Sequence, residues 1–275
     1  MTHTRRWTLG LGVVAVAAAL GVTAWRVPRP PAAAAEDGAT FVRRLLWQEL
    51  QPATLADCTL ERFGEPGDGG YLLCANLLQD VRAGYSYGIS GYDGWGCDVA
   101  TRRQVPVHQY DCFNTTVPAC AAPTTFHAEC VADTAHVADG RPFATIADQL
   151  TKNGDLAGQL VVKMDVEGAE WAALATAPHD VLARIDQLVV EFHGTDQRSY
   201  VNAVRRLKQY FHVANLHMNN HSCAPAEAPF PAWAYEVLFV NRRLVDAVPA
   251  APPRPPYHLL DRPNAADQPD CQPVP

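Results

Sequence analysis

The sequence predicts an α/β fold, a doubly wound and mostly parallel sheet that ends in an antiparallel hairpin. Three observations carry this expectation. Short apolar runs alternate with helical patterns through the middle of the chain. Two of these runs, at 160–164 and 187–190, end on ionisable residues and then glycine: Asp165, Glu167 and Gly168 in one case, Glu191, His193 and Gly194 in the other. Strands turning out of a sheet read this way. The last two runs, 211–217 and 233–240, have only a Pro-rich loop between them and should pair antiparallel. In an open parallel sheet, ligands bind beyond the carboxyl ends of the strands. The acids at 165–170 therefore stand where carboxylates can meet a substrate.

The elements follow in order. Residues 40–50 have helical spacing, with Phe41, Leu45, Leu46 and Leu50 on one face. A Gly-rich turn at 61–70 leads into Tyr71-Leu-Leu-Cys74. The first core strand is Gly84–Ile89, followed by a loop and a short helix to about Arg103. The second is Val105–Tyr110, ending at Asp111, and the third is Thr125–Val131, ending near Asp133. A short helix at 145–150 precedes the strand at 160–164, and residues 169–176 form the helix before the strand at 187–193. Residues 199–210 are amphipathic, with Val201, Val204, Leu207 and Phe211 on one side. The two hairpin strands complete a count of seven.

At 275 residues the chain has room for one sizeable α/β domain plus tails. A hydrophobic content of 48% supports a real core. The formal charge of −7, with no Lys/Arg-rich stretch, excludes general nucleic-acid binding. Residues 1–6 are a short tail carrying Arg5 and Arg6. Residues 7–25 contain no charge and are long enough to span a bilayer. They read as a single-pass anchor, with a cleaved export signal as the alternative, since Ala33-Ala34-Ala35 offers a small-residue cleavage site. Residues 26–39 are a Pro/Ala-rich linker, 40–246 the folded domain, and 247–275 a Pro-rich tail expected to be disordered.

Eight cysteines, an even number with no Cys-x-x-Cys pair, suit disulfides in an oxidising compartment rather than a structural zinc site. Free buried thiols in a cytosolic domain are the competing reading. Cys58 and Cys74 flank the Gly-rich turn, and Cys112, Cys120 and Cys130 are close enough for short loops. Asn114-Thr-Thr and Asn220-His-Ser are glycosylation acceptors compatible with a lumenal domain.

Gly88-Ile-Ser-Gly91-Tyr-Asp-Gly94 follows the first core strand and opens a helix, so its backbone can approach a bulky cofactor. Its spacing is not that of a nicotinamide fingerprint, and neither a P-loop nor a G-x-S-x-G serine motif occurs. Asp111 lies some 20 residues beyond this turn, where ribose hydroxyls are accepted. Asp165, Glu191 and His193 could converge as a base or as ligands of Mg2+ or Mn2+. For His217 and His221 a scaffold role and a substrate contact both stay open.

Lys163-Met-Asp165-Val-Glu167-Gly168-Ala-Glu170 resembles the Lys-x-Asp-x-Glu-Gly-x-Glu signature of FkbM-type S-adenosylmethionine-dependent methyltransferases. The resemblance extends to Arg62–Tyr71, Tyr85–Ser90, Gln187–His193 and His217–Asn220, covering about 55–245, and is to the membrane-anchored, methyltransferase-like branch. It implies a Rossmann-like seven-strand methyltransferase sheet and methyl transfer to oxygen, on a small molecule or glycan. Gly88, Ser90, Asp111 and Asp133 would contact the cofactor. Asp165, Glu191 and His193 would be catalytic. The acid-x-Gly-x-Gly cofactor loop common to methyltransferases is replaced here by Tyr85-Ser-Tyr-Gly88-Ile-Ser90-Gly91. That departure, with an oxidising compartment, keeps a second expectation alive: a catalytically inactive lumenal or surface binding module on the same fold. The domain is expected on the lumenal or extracytoplasmic side of a membrane, or secreted if the N-terminal segment is cleaved.

Overall fold

A computed structural model describes residues 37–249 and 260–272. The proposed anchor at 7–25 and the linker up to residue 36 lie outside the described residues. Among those described, no helix is long and apolar enough to cross a membrane.

Helix α1 (Gly38–Glu49) starts at Asp37, whose carboxylate accepts from the Thr40 N–H at 2.7 Å. A two-stranded hairpin follows, β1 (Leu60–Phe63) and β2 (Tyr71–Cys74), and then β3 (Val81–Tyr87), α2 (Gly94–Arg103), β4 (Val107–Tyr110) and β5 (Thr124–His127). Three short strands, β6 (Cys130–Val131), β7 (His136–Ala138) and β8 (Arg141–Ala144), form a small separate sheet. The chain continues through α3 (Ile146–Asn153), β9 (Gln159–Met164), α4 (Glu170–Thr176), α5 (His179–Arg184), β10 (Ile185–His193), α6 (Arg198–Leu207), β11 (Phe211–Met218) and β12 (Ala234–Asn241).

The central sheet has seven strands in the order β11-β12-β10-β9-β3-β4-β5. All neighbours are parallel except β12, which runs antiparallel to both β10 and β11. The terminal hairpin and the doubly wound α/β class are therefore as the sequence indicates, and the architecture is Rossmann-like. Strand order reverses between β3 and β9, the consecutive central strands whose connections leave to opposite sides. A switch point lies there.

One core layer packs α1, α4 and α6 on the sheet through residues such as Leu46, Leu174, Val201, Val204 and Phe211. The other packs the β1–β2 hairpin and α2 on the opposite face, through Phe63, Leu73, Trp95 and Val99. The α6 stripe is the one its periodicity marks, with Val201, Val204 and Leu207 buried.

Three expectations need correction. The run 125–131 is not one strand: β5 ends at His127, the chain turns with Glu129 N–H donating to His127 O (2.8 Å), and Cys130 is held to Cys112 by a disulfide. Alternating residues in β5 are half-buried at a sheet edge, so the pattern carries little boundary information. The tail 247–275 is not disordered throughout. Residues 260–272 lie on the domain, with Asn264, Ala265 and Cys271 buried. The Asn220 side chain binds Ala265 N and O and Gln268 O, and Cys223–Cys271 tethers the segment. Asn220 is thereby enclosed and is no glycosylation acceptor in the folded chain.

All eight cysteines are paired: Cys58–Cys74, Cys97–Cys120, Cys112–Cys130 and Cys223–Cys271, with Cα–Cα distances of 5.0–5.8 Å. Four disulfides suit an extracellular or lumenal setting.

Candidate functional site

A cavity of about 510 Å³ opens at the carboxyl ends of β3, β4 and β9. Its position is the switch point of the sheet. Tyr87 and Tyr110 form an aromatic wall, with ring centroids 5.0 Å apart, and Tyr110 stacks in turn on His127 at 4.5 Å. Val131 and Phe143 supply apolar surface from the small sheet.

The turn after β3 fixes the cavity floor. Gly88 has φ +71°, and a Cβ there would stand 1.6 Å from the Asp165 carbonyl oxygen. Its N–H donates to Tyr110 O at 2.9 Å. Lys163 is buried in β9, and its ammonium donates to Gly88 O at 2.7 Å and Tyr87 O at 3.3 Å. A lysine is tolerated inside this apolar strand because main-chain oxygens and Asp165 surround its charge. Asp111 is similarly fixed. One carboxylate oxygen accepts from Ser90 N (2.8 Å), and the other from Phe113 N (2.8 Å) and Asn114 N (2.9 Å).

Gly88, Ser90, Asp111 and Asp165 all line the cavity, whereas Asp133 does not. It sits on an exposed turn after β6, because the third strand ends early, and Cys130 and Val131 take its place.

Glu191 and His193 lie beside Asp165 but are not part of the cavity lining. Glu191, buried in β10, accepts from Asn219 Nδ2 at 2.7 Å. The Tyr71 hydroxyl stands between its carboxylate (3.4 Å) and that of Asp165 (3.2 Å). Burial pushes the Glu191 carboxyl well above the usual range, and the charges of Asp165 and Glu236 add to the shift. Burial alone would lower the His193 imidazole. The hydrogen bond to Glu170, with the charges of Glu170, Glu191 and Asp165, outweighs it and raises His193 to about 9.

Among the described residues, Asp165, Glu167 and His193 could share a cation, their ligand atoms lying within 4.8 Å of one another. Glu191 is not in this group, contrary to the sequence expectation; Glu167 replaces it. Glu167 has φ +55°, an uncommon conformation for a residue with a side chain, and its carboxylate is exposed at the cavity edge. The sequence contained the clue, since Glu167 falls between Asp165 and the turn glycine. Tyr71 and Asp68 enter the sequence reading only through the resemblance of Arg62–Tyr71, because the β1–β2 hairpin that delivers them is remote in the chain.

A second polar group adjoins the first. Glu236 faces Glu191 across β10 and β12 and His217 across β11 and β12. Asn264 from the C-terminal segment donates to Glu236 (2.8 Å) and to Asp68 (3.1 Å) and meets His217 Nε2 (3.1 Å). His217 is thus a buried scaffold residue, and His221 is exposed. Burial pushes the Glu236 carboxyl up to about 8, while the Asn264 hydrogen bond and the Arg62 charge pull against that shift. The folded value lies above the unfolded one, near 4.5. Stability from this group is therefore complete below about pH 4.5 and is lost as pH rises through 8. Glu191 and His193 shift in the same sense. The unfolding free energy from urea titration should fall from pH 5 to pH 8.5, and Glu236→Gln should flatten that fall by a few kcal/mol. An unchanged profile in the variant would remove Glu236 from the account.

No family model matches this chain, and a search of the curated proteins finds no similar sequence.

Proposed function

We propose that this chain is an S-adenosylmethionine-dependent methyltransferase acting on an oxygen of a small molecule or glycan. One observation carries the reading: the cavity lies at the β3/β9 switch point, bounded by the Gly88 turn, an aromatic wall and a fixed acid at the end of the next strand. Nucleoside cofactors are held by such an arrangement. The resemblance of the 163–170 segment to FkbM-type enzymes supports it independently of the geometry.

The residues present fit the cofactor. The missing side chain at Gly88 lets the β3 turn close against the Asp165 main chain and shape the cavity floor, and Phe113, exposed at the cavity, with Phe143 offers aromatic surface for a purine. A carboxylate has about four lone-pair sites. Three of those on Asp111 take main-chain N–H groups, which leaves one for a ribose hydroxyl. The bound cofactor would supply an electrophilic methyl on a sulfonium. In the transfer, the acceptor oxygen bonds to that methyl as the sulfur–carbon bond breaks, and the acceptor's proton leaves to a base. Asp165 is our candidate for the base, since it alone of the three expected catalytic residues opens on the cavity. Glu191 and His193 do not line the cavity, so neither meets the acceptor's proton directly. Their part is to shape and charge the floor around Asp165.

We further propose that the domain faces the lumenal or outer side of a membrane, tethered by 7–25, or is secreted if that segment is cleaved. The four disulfides support this side.

Calorimetric titration with S-adenosylmethionine tests the function. Saturable binding is expected, and Asp111→Asn, which keeps the side-chain shape, should weaken it roughly 10- to 100-fold. One observation favours a second reading, an inactive binding module. Ser90, at φ +47°, stands where methyltransferase loops commonly carry glycine, and its N–H is already engaged by Asp111. No saturable binding by a protein with an intact melting transition would select that reading.

A further inference from the structure

We infer that Asp165, Glu167 and His193 form a binding site for a divalent cation of the Mn2+ type at the edge of the cavity. The argument starts from the free atoms. Asp165 Oδ2 is occupied by the Tyr71 hydroxyl (3.2 Å) and Lys163 Nζ (3.4 Å), which leaves Oδ1 facing His193 Nε2 at 4.0 Å. Glu167 Oε2 lies 3.4 Å from the same nitrogen. Two ligands on one ion with bonds of about 2.2 Å can stand at most about 4.4 Å apart. The group, spread within 4.8 Å, needs to contract by only a few tenths of an ångström. Glu167 can supply that movement, because its side chain is 83% exposed.

The independent observation is outside the three ligands. Glu170 is fully buried and accepts from His193 Nδ1 (3.2 Å), from the His193 main-chain N–H (2.8 Å) and, through its other oxygen, from Gly168 N–H (2.8 Å). It therefore fixes the imidazole ring and turns Nε2 toward the two carboxylates. Carboxylate–histidine pairs of this kind orient metal-binding imidazoles. The His193 side chain is nine-tenths buried, so the ring has no other setting open to it. A complete hydrogen-bonded support for one nitrogen, aimed at two carboxylate oxygens, is a ligand arrangement and more than a solvated acidic edge.

Two oxygens and one imidazole nitrogen suit Mn2+ better than Mg2+, which prefers oxygen alone, and better than Ca2+, which takes six or more oxygens. Asp165 and Glu167 line the cavity, so the remaining positions on the ion face it. There the ion would bind the acceptor's oxygen and stabilise negative charge on it; with the ion bound, Asp165 serves as its ligand in place of acting as the base, and the proton leaves to solvent water. That role rests on the transferase reading, whereas the binding itself does not.

The test is titration of the full chain with MnCl2, followed by the loss of the free Mn2+ electron paramagnetic resonance signal. Saturable binding of a single ion is expected. Glu167→Gln, an exposed change that leaves packing intact, should weaken it at least about tenfold, and Glu170→Gln by about 10- to 100-fold. An undiminished free Mn2+ signal with the native chain, or equal binding by Glu167→Gln, overturns the inference. Calorimetry with S-adenosylmethionine, run with and without Mn2+, separates the two proposals. Mn2+ binding without cofactor binding sinks the transferase reading alone, and cofactor binding without Mn2+ binding sinks the ion site alone.

Discussion

Reduction of the disulfides is expected to unfold this domain near room temperature or to lower its melting point by tens of degrees. Each bridge restricts the unfolded chain and typically contributes about 2–4 kcal/mol, more for longer loops. The four close separations of 16, 23, 18 and 48 residues. Their combined effect, roughly 10 kcal/mol, matches the whole stability of an ordinary domain, about 5–15 kcal/mol. The bridges also sit where structure depends on them. Cys112–Cys130 joins the end of β4 to the small sheet that walls the cavity, and Cys223–Cys271 anchors the segment that delivers Asn264 to Glu236. Scanning calorimetry with and without dithiothreitol, on protein whose pairing has been mapped by mass spectrometry, gives the measurement. A melting point unchanged after all four bridges are reduced would show that the fold does not need them. Eight free thiols in protein from its native source would remove the oxidising compartment from the proposal.

The parts of the fold that were legible in the sequence are those where burial and backbone period agree. Strands β9 and β10 are buried along all but one terminal residue each, so their apolar runs and strand-end acids are unambiguous. Helix α6 shows its core stripe because its other face is polar. The site divided along the same line. Gly88, Ser90, Asp111 and Asp165 could be placed because strand ends in a parallel sheet converge on one edge. Glu191 lies outside the Asp165–Glu167–His193 group because alternation along a strand does not say which residue beyond its end folds back; the turn at Glu167–Gly168 decides that. Asp133 failed because a disulfide and a tight turn, neither periodic, end β5 early. The C-terminal segment was missed for a related reason. Its 260–272 stretch packs through Asn264, Ala265 and Cys271, a polar residue, a small one and a disulfide partner, none of which marks an apolar stripe.

Replacing Gly88 with alanine should be the most damaging single substitution at the site. Two costs act on it, and a control separates them. The first is conformational. At φ +71° a side chain is strained against its own carbonyl, at about 1–2 kcal/mol. Gly154, the left-handed cap of α3, has φ +79° with nothing within 4 Å of its Cβ position, so Gly154→Ala carries that cost alone. The second cost belongs to Gly88. Its Cβ would lie 1.6 Å from Asp165 O and 2.7 Å from Asp165 C, both main-chain atoms that no rotamer change can move. Relief requires β3 and β9 to part at their carboxyl ends. That would break the Asp165 N–H bond to Tyr87 O (3.1 Å) and the Lys163 bond to Gly88 O (2.7 Å), leaving a buried ammonium short of partners. Losing a buried charged hydrogen bond adds about 1.5–3 kcal/mol. Gly88→Ala is therefore expected to cost at least about 3 kcal/mol more than unmutated protein, and distinctly more than Gly154→Ala, in urea unfolding. On the proposed transferase reading, any folded variant should also lose S-adenosylmethionine binding, since the displaced loop carries Ser90 and its bond to Asp111. Equal destabilisation by the two alanine variants would mean that the β3 and β9 ends part at little cost, and the close approach of Gly88 to Asp165 would then not hold the cavity floor.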